Sequence, residues 1–227
     1  MRTYVFFWEI KPRSIVSAFL LMAVGHLYLK PNKTVTFYKL LGTGKGETFT
    51  PKDANLTRWG LIISTSQERE VLKFVKLWRK IAIHEKFFEL APLSSHGLWS
   101  KRNPFLVGEK ISYEGKTVAI TRAKIKRRLA LAFWRSVPPV VQSLKSSPGL
   151  IWSIGIGESP IGLQGTFSLW ESAKALEDFA FRGSEHRVAI RKTRDFGWYS
   201  EELFARFKVV TEAERSEEHT SELQSLR

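Results

Sequence analysis

The order of the predicted strands and helices is the feature that most constrains the fold of this chain. In the first half, apolar and β-branched runs predict strands and helical periodicity predicts helices, in the order strand, helix, strand, strand, helix, strand. The strands are predicted at residues 4–10, 34–41, 58–65 and 86–93, and the helices at 14–29 and 67–83. This order is typical of a ferredoxin-like unit.

The same order returns in the second half, after a connector rich in Gly, Ser, Asn and Pro. Strands are predicted at 117–124, 150–157, 164–170 and 202–210, and helices at 127–144, at 172–181 and from 184 onward. Phe37–Glu47 also resembles Ile151–Glu158, because each is an apolar strand that runs into alternating glycines and a Glu. We therefore predict an α+β fold, with tandem ferredoxin-like repeats forming a dimeric α/β-barrel-type fold within one chain, around a barrel-like cavity.

These patterns also give a domain organisation. The predicted units are a first half (1–98), a connector (99–115), a second half that carries the candidate metal ligand (116–210) and a tail (211–227). Within the tail, Arg215–Ser225 resembles the translation of a common short-read sequencing adapter. We therefore leave it out of the fold and discard His219 as a ligand.

Composition limits both the chemistry and the partners. The 227 residues include no Cys, which excludes disulfides, thiolate nucleophiles and iron–sulfur clusters and is compatible with a reducing cytoplasm. The net charge of +14 predicts an anionic partner. Nucleic acid is disfavoured because the basic residues are spread out, densest at Arg122–Arg128, with no binding motif. The most apolar run, Ile15–Leu29, is too short to span a bilayer and is predicted to be a buried helix.

The segment Gly183–Arg206 carries the main candidate metal ligand. A helix capped by its first serine places His186 among small apolar neighbours, with Arg187 and Arg191 on another side. An imidazole for iron and guanidinium groups for propionates are what a haem requires. The alternative is a partly exposed surface histidine next to Glu185.

Two other motifs give less information about function. The glycines at 42–46 and 155–157 match neither a phosphate loop nor a dinucleotide fingerprint, and are predicted to be bulges or close backbone approaches. The segment WSKRNPF alternates aromatics with cations and an amide. Trp99 and Phe105 either line the mouth of a cavity or pack onto the sheet as part of a crossover loop.

Taken together, five segments resemble the spheroidene monooxygenase family, the acyclic carotenoid 2-ketolases. They occur in the family's order and span most of residues 1–210: Phe37–Lys52, Trp99–Phe105, Ile154–Pro160, Gln164–Trp170 and His186–Val209. The chain departs from the family at Gly165, where an apolar residue is usual, and at Ile161, where a Trp is frequent. Both departures bear on which carotenoid is bound.

The resemblance implies a haem monooxygenase that uses O2 and electrons from a reduced ferredoxin-like donor to oxidise spheroidene-like carotenoids to the C-2 ketone. His186 falls on a histidine of the family pattern and is assigned to the iron. The other assignments are Arg191 and Arg187 to the propionates, Gln164 and Asn103 as donors to iron-bound oxygen, and Trp99, Phe105 and Trp198 to the substrate.

The basic surface then has two roles, docking an acidic electron donor and resting on an anionic membrane, which predicts a cytoplasmic protein peripheral to the inner membrane. Two alternatives stay open. One is another haem-binding or haem-degrading barrel, and the other is a non-catalytic barrel that binds a lipid or carotenoid. The sequence makes no prediction of the oligomeric state.

Overall fold

The fold is given by a computed structural model, which describes residues 2–29, 34–44, 51–67, 69–108, 112–129, 138–139, 141–158, 165–182 and 199–216. The strands are β1 (Arg2–Ile10), β2 (Val35–Gly44), β3 (Ala54–Thr65), β4 (Ala82–Gly97), β5 (Thr117–Ile125), β6 (Leu150–Gly157), β7 (Gly165–Trp170) and β8 (Tyr199–Ser216). The helices described from end to end are α1 (Ile15–Tyr28), α2 (Arg69–Arg79) and α3 (Ala173–Arg182), and residues 141–145 are also helical.

The eight strands form one closed barrel in the order β1-β3-β2-β6-β7-β5-β8-β4. Neighbouring strands pair antiparallel. Around the barrel, the first four strands follow the order β4-β1-β3-β2 and the last four the order β8-β5-β7-β6. The predicted α+β class is therefore confirmed, with a mostly antiparallel sheet.

Two seams join the first four strands to the last four. At one, Gly42, Thr43 and Gly44 of β2 pair with Gly157, Ile156 and Gly155 of β6. The two glycine-bearing segments thus pair with each other, as expected for close backbone approaches. β2 also continues past its predicted end at residue 41, because strand pairing extends to Gly44.

The other seam is much longer than the sequence predicts. β4 and β8 pair from His84–Ser216 to Gly97–Leu203, and the register shifts between Pro92 and Ser94. Proline and two serines predict a strand end near residue 93, but the shift lets β4 continue past the proline, which cannot donate a ladder hydrogen bond. β8 extends through residues 211–216, which the sequence assigns to the tail, because these residues pair with residues 84–89 at the start of β4.

The barrel interior is packed with large apolar side chains. Phe7, Phe88, Trp152 and Phe167 meet there, with ring centroids 5.0–6.2 Å apart. Leu, Ile and Val side chains from both halves fill the space around these rings. The predicted cavity between the sheets is therefore wrong for the described residues, because large aromatic side chains occupy that space.

The outer faces of the barrel carry the helices. α1 and α2 cover the first four strands over a cluster that includes Trp8, Trp59 and Trp78. α3 covers the last four over a smaller cluster around Trp170. α1 itself buries few residues, so the prediction of a buried helix is wrong. Among the described helices, none has the length and apolar character needed to cross a bilayer.

Candidate functional site

Residues 98–107, the capping loop, follow β4 and close one end of the barrel. Gly97 precedes the loop with φ +87°, and a Cβ there would lie 2.2 Å from the carbonyl oxygen of Glu202, so only glycine permits this exit from the strand. Trp99 and Phe105 are buried in the barrel interior. Both pack edge-on against the same β2 phenylalanine, with centroids 5.4 and 5.7 Å away. Both rings thus pack against the inside of the sheet, and their assignment to the substrate stays a prediction.

Five side chains meet beside this loop, and we call them the Arg122 cluster: Lys39, Trp99, Arg122, Glu158 and Glu201. The Arg122 guanidinium is 5% exposed, pairs with Glu201, and donates from Nη2 to Glu158 Oε1 at 2.8 Å. Trp99 Nε1 donates to the same oxygen at 2.8 Å, and its ring lies 5.6 Å from the guanidinium carbon. The cluster joins the capping loop to β2, β5, β8 and the end of β6.

Lys39 and Glu201 extend the cluster to the loop backbone. Lys39 Nζ lies 2.5 Å from Glu158 Oε2 and donates to Ser100 Oγ at 2.7 Å. The Glu201 carboxylate accepts from the backbone N–H of Ser100 at 3.0 Å and of Lys101 at 2.7 Å. Ser100 and Lys101 have φ values of 57° and 64°. The carboxylate therefore stabilises a left-handed turn that non-glycine residues seldom adopt.

The cluster lowers the pKa of both of its carboxyl groups. Burial alone would raise the pKa of Glu158, but Lys39, the Trp99 N–H and the charge of Arg122 outweigh it. Burial would also raise the pKa of Glu201, but the two loop N–H groups and Arg122 lower it. Both groups are therefore ionised at neutral pH and do not act as proton donors there.

The charges within the cluster balance. Lys39 and Arg122 supply two positive charges, and Glu158 and Glu201 two negative ones. A buried group of this kind is stable only when each charge is paired and hydrogen-bonded. Its chemical capacity is positioning, because it fixes the capping loop and two aromatic rings at one end of the barrel.

No protein-family profile matches the chain. The chain is 38% identical over 190 residues to spheroidene monooxygenase of Rhodobacter capsulatus, which covers 80% of this chain and 78% of that protein. The chain belongs to the spheroidene monooxygenase family. The spheroidene monooxygenase of Cereibacter sphaeroides is 34% identical over 181 residues, covering 77% of this chain and 56% of that protein, so this chain spans just over half of that relative's length. As a member of this family, the chain is an oxidoreductase.

A solved structure also shares the fold. An aldoxime dehydratase in complex with butyraldoxime superposes with a TM-score of 0.52 at 11% identity, covering 92% of this chain and 79% of that chain. At this identity the likeness concerns the fold alone. It agrees with the closed α+β barrel seen here.

Within the family resemblance, the structure brings residues from four of the five matching segments into one cluster. Lys39, Trp99 and Glu158 come from three of them, and Glu201 from the segment that also contains His186. The sequence analysis assigned no role to these charged residues or to Arg122. One sequence pattern could have revealed the cluster. Lys39 and Arg122 each lie inside an otherwise apolar strand, and a charge in such a position requires a partner of opposite charge.

Asn103 lies on the exposed side of the capping loop. Its Oδ1 accepts from Ser95 Oγ at 2.6 Å and from the backbone N–H of Phe105 at 3.2 Å, and its Nδ2 donates to the Ser95 carbonyl at 3.1 Å. These bonds hold the loop against β4. The assignment of Asn103 as a donor to bound oxygen stays a prediction.

The remaining predicted site residues, Gln164, His186, Arg187, Arg191 and Trp198, lie outside the described residues. Three described residues that flank these segments lie at the capped end of the barrel. Glu158 and the β7 residue Gly165 border the segment that contains Gln164. Tyr199, which pairs with Ile125, follows the segment that contains Trp198.

The described residues do not by themselves fit a haem. His26, His84 and His96 are exposed on α1 and β4, and His26 Nδ1 is hydrogen-bonded to the Tyr38 hydroxyl at 2.9 Å. In the described ranges, no group of three His, Asp or Glu is placed to hold a metal. An axial nitrogen for haem would therefore have to come from outside these ranges.

A cavity of about 430 Å³ opens on the outer face of the barrel, beside α3. Glu171 and Asp178 line it together with Lys174 and several serines. Two carboxylates would repel the propionates of a haem, and the lining contains no imidazole. We therefore do not assign the haem to this cavity.

Proposed function

We propose that the chain is a carotenoid monooxygenase that introduces a keto group at C-2 of an acyclic carotenoid such as spheroidene, by successive hydroxylations. The observation that carries the proposal is the 38% identity over 190 residues to a protein named spheroidene monooxygenase. The clustering of family-like segments at one end of the barrel supports it, because residues distant in sequence meet there.

We further infer that haem is the cofactor and that the segment of residues 183–198 holds it. His186 would ligate the iron, and Arg191 and Arg187 would bind the propionates. When bound, the haem would supply the activation of O2, with electrons from a ferredoxin-like donor. The described residues add no ligand to this set, so the inference rests on the sequence of that segment.

The role of the Arg122 cluster in this function is to position other groups. Its salt bridges fix Glu158, the last described residue before the segment with Gln164, and Glu201, close after Trp198. The same cluster holds Trp99 and Phe105 at the barrel end, where we propose that they border the substrate site. A preorganised, water-poor surface of this kind orients an apolar substrate without rearrangement of the protein.

We also infer that the barrel is built from two tandem ferredoxin-like repeats. When β5–β8 are counted as strands 1–4 of a second unit, both halves of the barrel have the same strand order, 4-1-3-2. The seams support the inference, because the second strands of the two sets pair with each other, and so do the fourth strands.

Pigment analysis tests the proposed reaction. We expect a host that produces spheroidene-type carotenoids to accumulate the 2-keto product when it expresses this chain, and not when it carries an empty vector. Replacing the host's pigment with an acyclic carotenoid that already bears the ketone should abolish further oxidation. Unchanged pigment beside an opened porphyrin would instead indicate a haem-degrading enzyme.

A visible spectrum tests the haem ligand separately. We expect the purified, haem-reconstituted protein to show a Soret band that His186→Ala loses or shifts. The matched control is His84→Ala, because His84 is exposed on β4 and should leave the band unchanged. A band of full strength and unchanged position in His186→Ala would overturn the assignment of this ligand.

A further inference from the structure

Helix α1 exposes a continuous apolar stripe on the surface of the protein. Val16, Leu20 and Leu27 are 71%, 62% and 69% exposed, and Ala23 lies between them on the same face. The spacing of three or four residues puts all four in one line along the helix. Phe19 and Tyr28 flank the line and are also exposed.

The opposite face of α1 attaches it firmly to the barrel. Ala18 and Gly25 are buried against the first four strands, and a Cβ at Gly25 would lie 2.6 Å from Leu40 Cδ1. The helix therefore lies flat on the sheet, over a length of roughly 21 Å at 1.5 Å per residue. An apolar helix held in this way presents its outer face to a partner instead of burying it in the core.

The charges around α1 indicate which partner fits. Residues 11–29 contain Lys11 and Arg13 and no acidic residue, and α1 itself has no Asp, Glu, Lys or Arg. The whole chain carries a net charge of +14. An apolar stripe with basic residues at its start, on a strongly basic protein, matches an interface that is apolar inside and anionic at its surface.

We propose that α1 is a membrane-docking helix, which lies in the plane of an anionic bilayer with Val16, Leu20 and Leu27 among the acyl chains near the headgroups. Basic residues near its start would contact lipid phosphates. A protein dimer is the less favoured partner, because a second copy would bring the same +14 charge to the interface.

The far end of α1 connects this surface to the Arg122 cluster. His26, in the last turn, bonds to Tyr38, and the next residue of β2, Lys39, points to the other face and binds Glu158. Helix α1 and the Arg122 cluster thus contact adjacent residues of β2, on opposite faces of the strand. This part of the inference rests on the proposed function, since an enzyme acting on a membrane-dissolved carotenoid needs its site close to the bilayer.

Vesicle co-sedimentation of the full chain tests the docking without any substrate. We expect binding to vesicles of phosphatidylcholine and phosphatidylglycerol in equal parts, and weaker binding to phosphatidylcholine alone. The double variant Leu20→Glu/Leu27→Glu should lower the partition coefficient by roughly tenfold or more, because burying each Leu side chain is worth about that factor. Ile151→Glu, which changes a 43% exposed isoleucine at the start of β6, away from the capped end, should bind like the parent protein.

Three results would overturn the proposal. One is undiminished vesicle binding by the double variant, and another is an equal loss in Ile151→Glu. The third is a parent protein that is dimeric by analytical ultracentrifugation and becomes monomeric in the double variant, which would assign the stripe to a second copy. The double variant should keep its activity on detergent-dispersed carotenoid, so a failure of docking is distinguishable from a failure of the proposed reaction.

Discussion

Two sites in this molecule hold a glutamate with the same pair of partners, an indole N–H and an arginine. In the first half, Glu85 accepts from Trp8 Nε1 at 2.7 Å and from Arg79 Nη2 at 2.6 Å. At the capped end, Glu158 accepts from Trp99 Nε1 and from an Arg122 nitrogen, both at 2.8 Å. The first joins α2 to two neighbouring strands, and the second joins a loop to strands from both halves.

The two arginines differ in exposure and in the number of carboxylates they pair with. Arg79 is 37% exposed and lies six residues from its glutamate. Arg122 is 5% exposed, binds Glu158 and Glu201, and is 36 and 79 residues away from them. A partly exposed arginine can turn to water when its partner is lost, whereas a buried one cannot. The guanidinium of Arg79 therefore stabilises a local contact, whereas that of Arg122 fixes the relative positions of residues that are distant in the sequence.

The largest expected difference between the two sites comes from removing the arginines. We expect Arg122→Met to lower the free energy of unfolding by about 3–5 kcal/mol, because two carboxylates, Glu158 and Glu201, each lose a buried charged partner. Arg79→Met should cost about 1–3 kcal/mol, since only Glu85 loses a charged partner and the arginine itself is partly exposed. Urea denaturation measures both. Equal losses would show that the two sites are energetically equivalent.

A smaller effect is expected from the backbone next to Arg122. A Cβ at Gly165 would lie 2.1 Å from the Thr121 carbonyl oxygen and 3.0 Å from the Arg122 Cα, so β5 and β7 would have to separate. Gly165→Ala should therefore destabilise the protein by roughly 1–3 kcal/mol and reduce ketocarotenoid formation. Gly108→Ala is the matched control, because a Cβ there meets no atom within 4 Å. A fully stable Gly165→Ala would mean that the strands can separate without cost.

The smallest expected effect is the pH dependence of the stability that Glu158 contributes. The folded-state pKa of Glu158 is lowered from 4.5, so its contribution to stability is complete above that pH and is lost as the pH falls through the lowered value. The difference in unfolding free energy between the parent protein and Glu158→Gln should thus be constant near neutrality and shrink on acidification below about pH 4.5. Denaturation at a series of pH values measures it. A difference that grows with acid would contradict the lowered pKa.

Much of the fold follows from local sequence patterns. β6 begins and ends at the predicted residues, and β1, β5, β7 and α3 differ from prediction by two residues or fewer at each end. Errors fall where a neighbour decides the outcome. β4 continues past Pro92 because β8 pairs with it, and α1 is exposed although its composition is that of a core helix. The amino-acid composition of a helix shows how apolar the helix is, but it does not show whether another element covers its outer face.

For the candidate site, too, some features could be predicted from the sequence and others could not. The motif WSKRNPF and the glycine-flanked Glu158 were visible in the sequence, and so was the family resemblance that gives the chain its class of chemistry. Sequence by itself thus determined the α+β class, the order of most strands and the family. Only the tertiary structure decided that Arg122 binds two distant glutamates and that aromatic rings fill the barrel. The reason is that pairing between residues tens of positions apart depends on barrel closure, which no local pattern encodes.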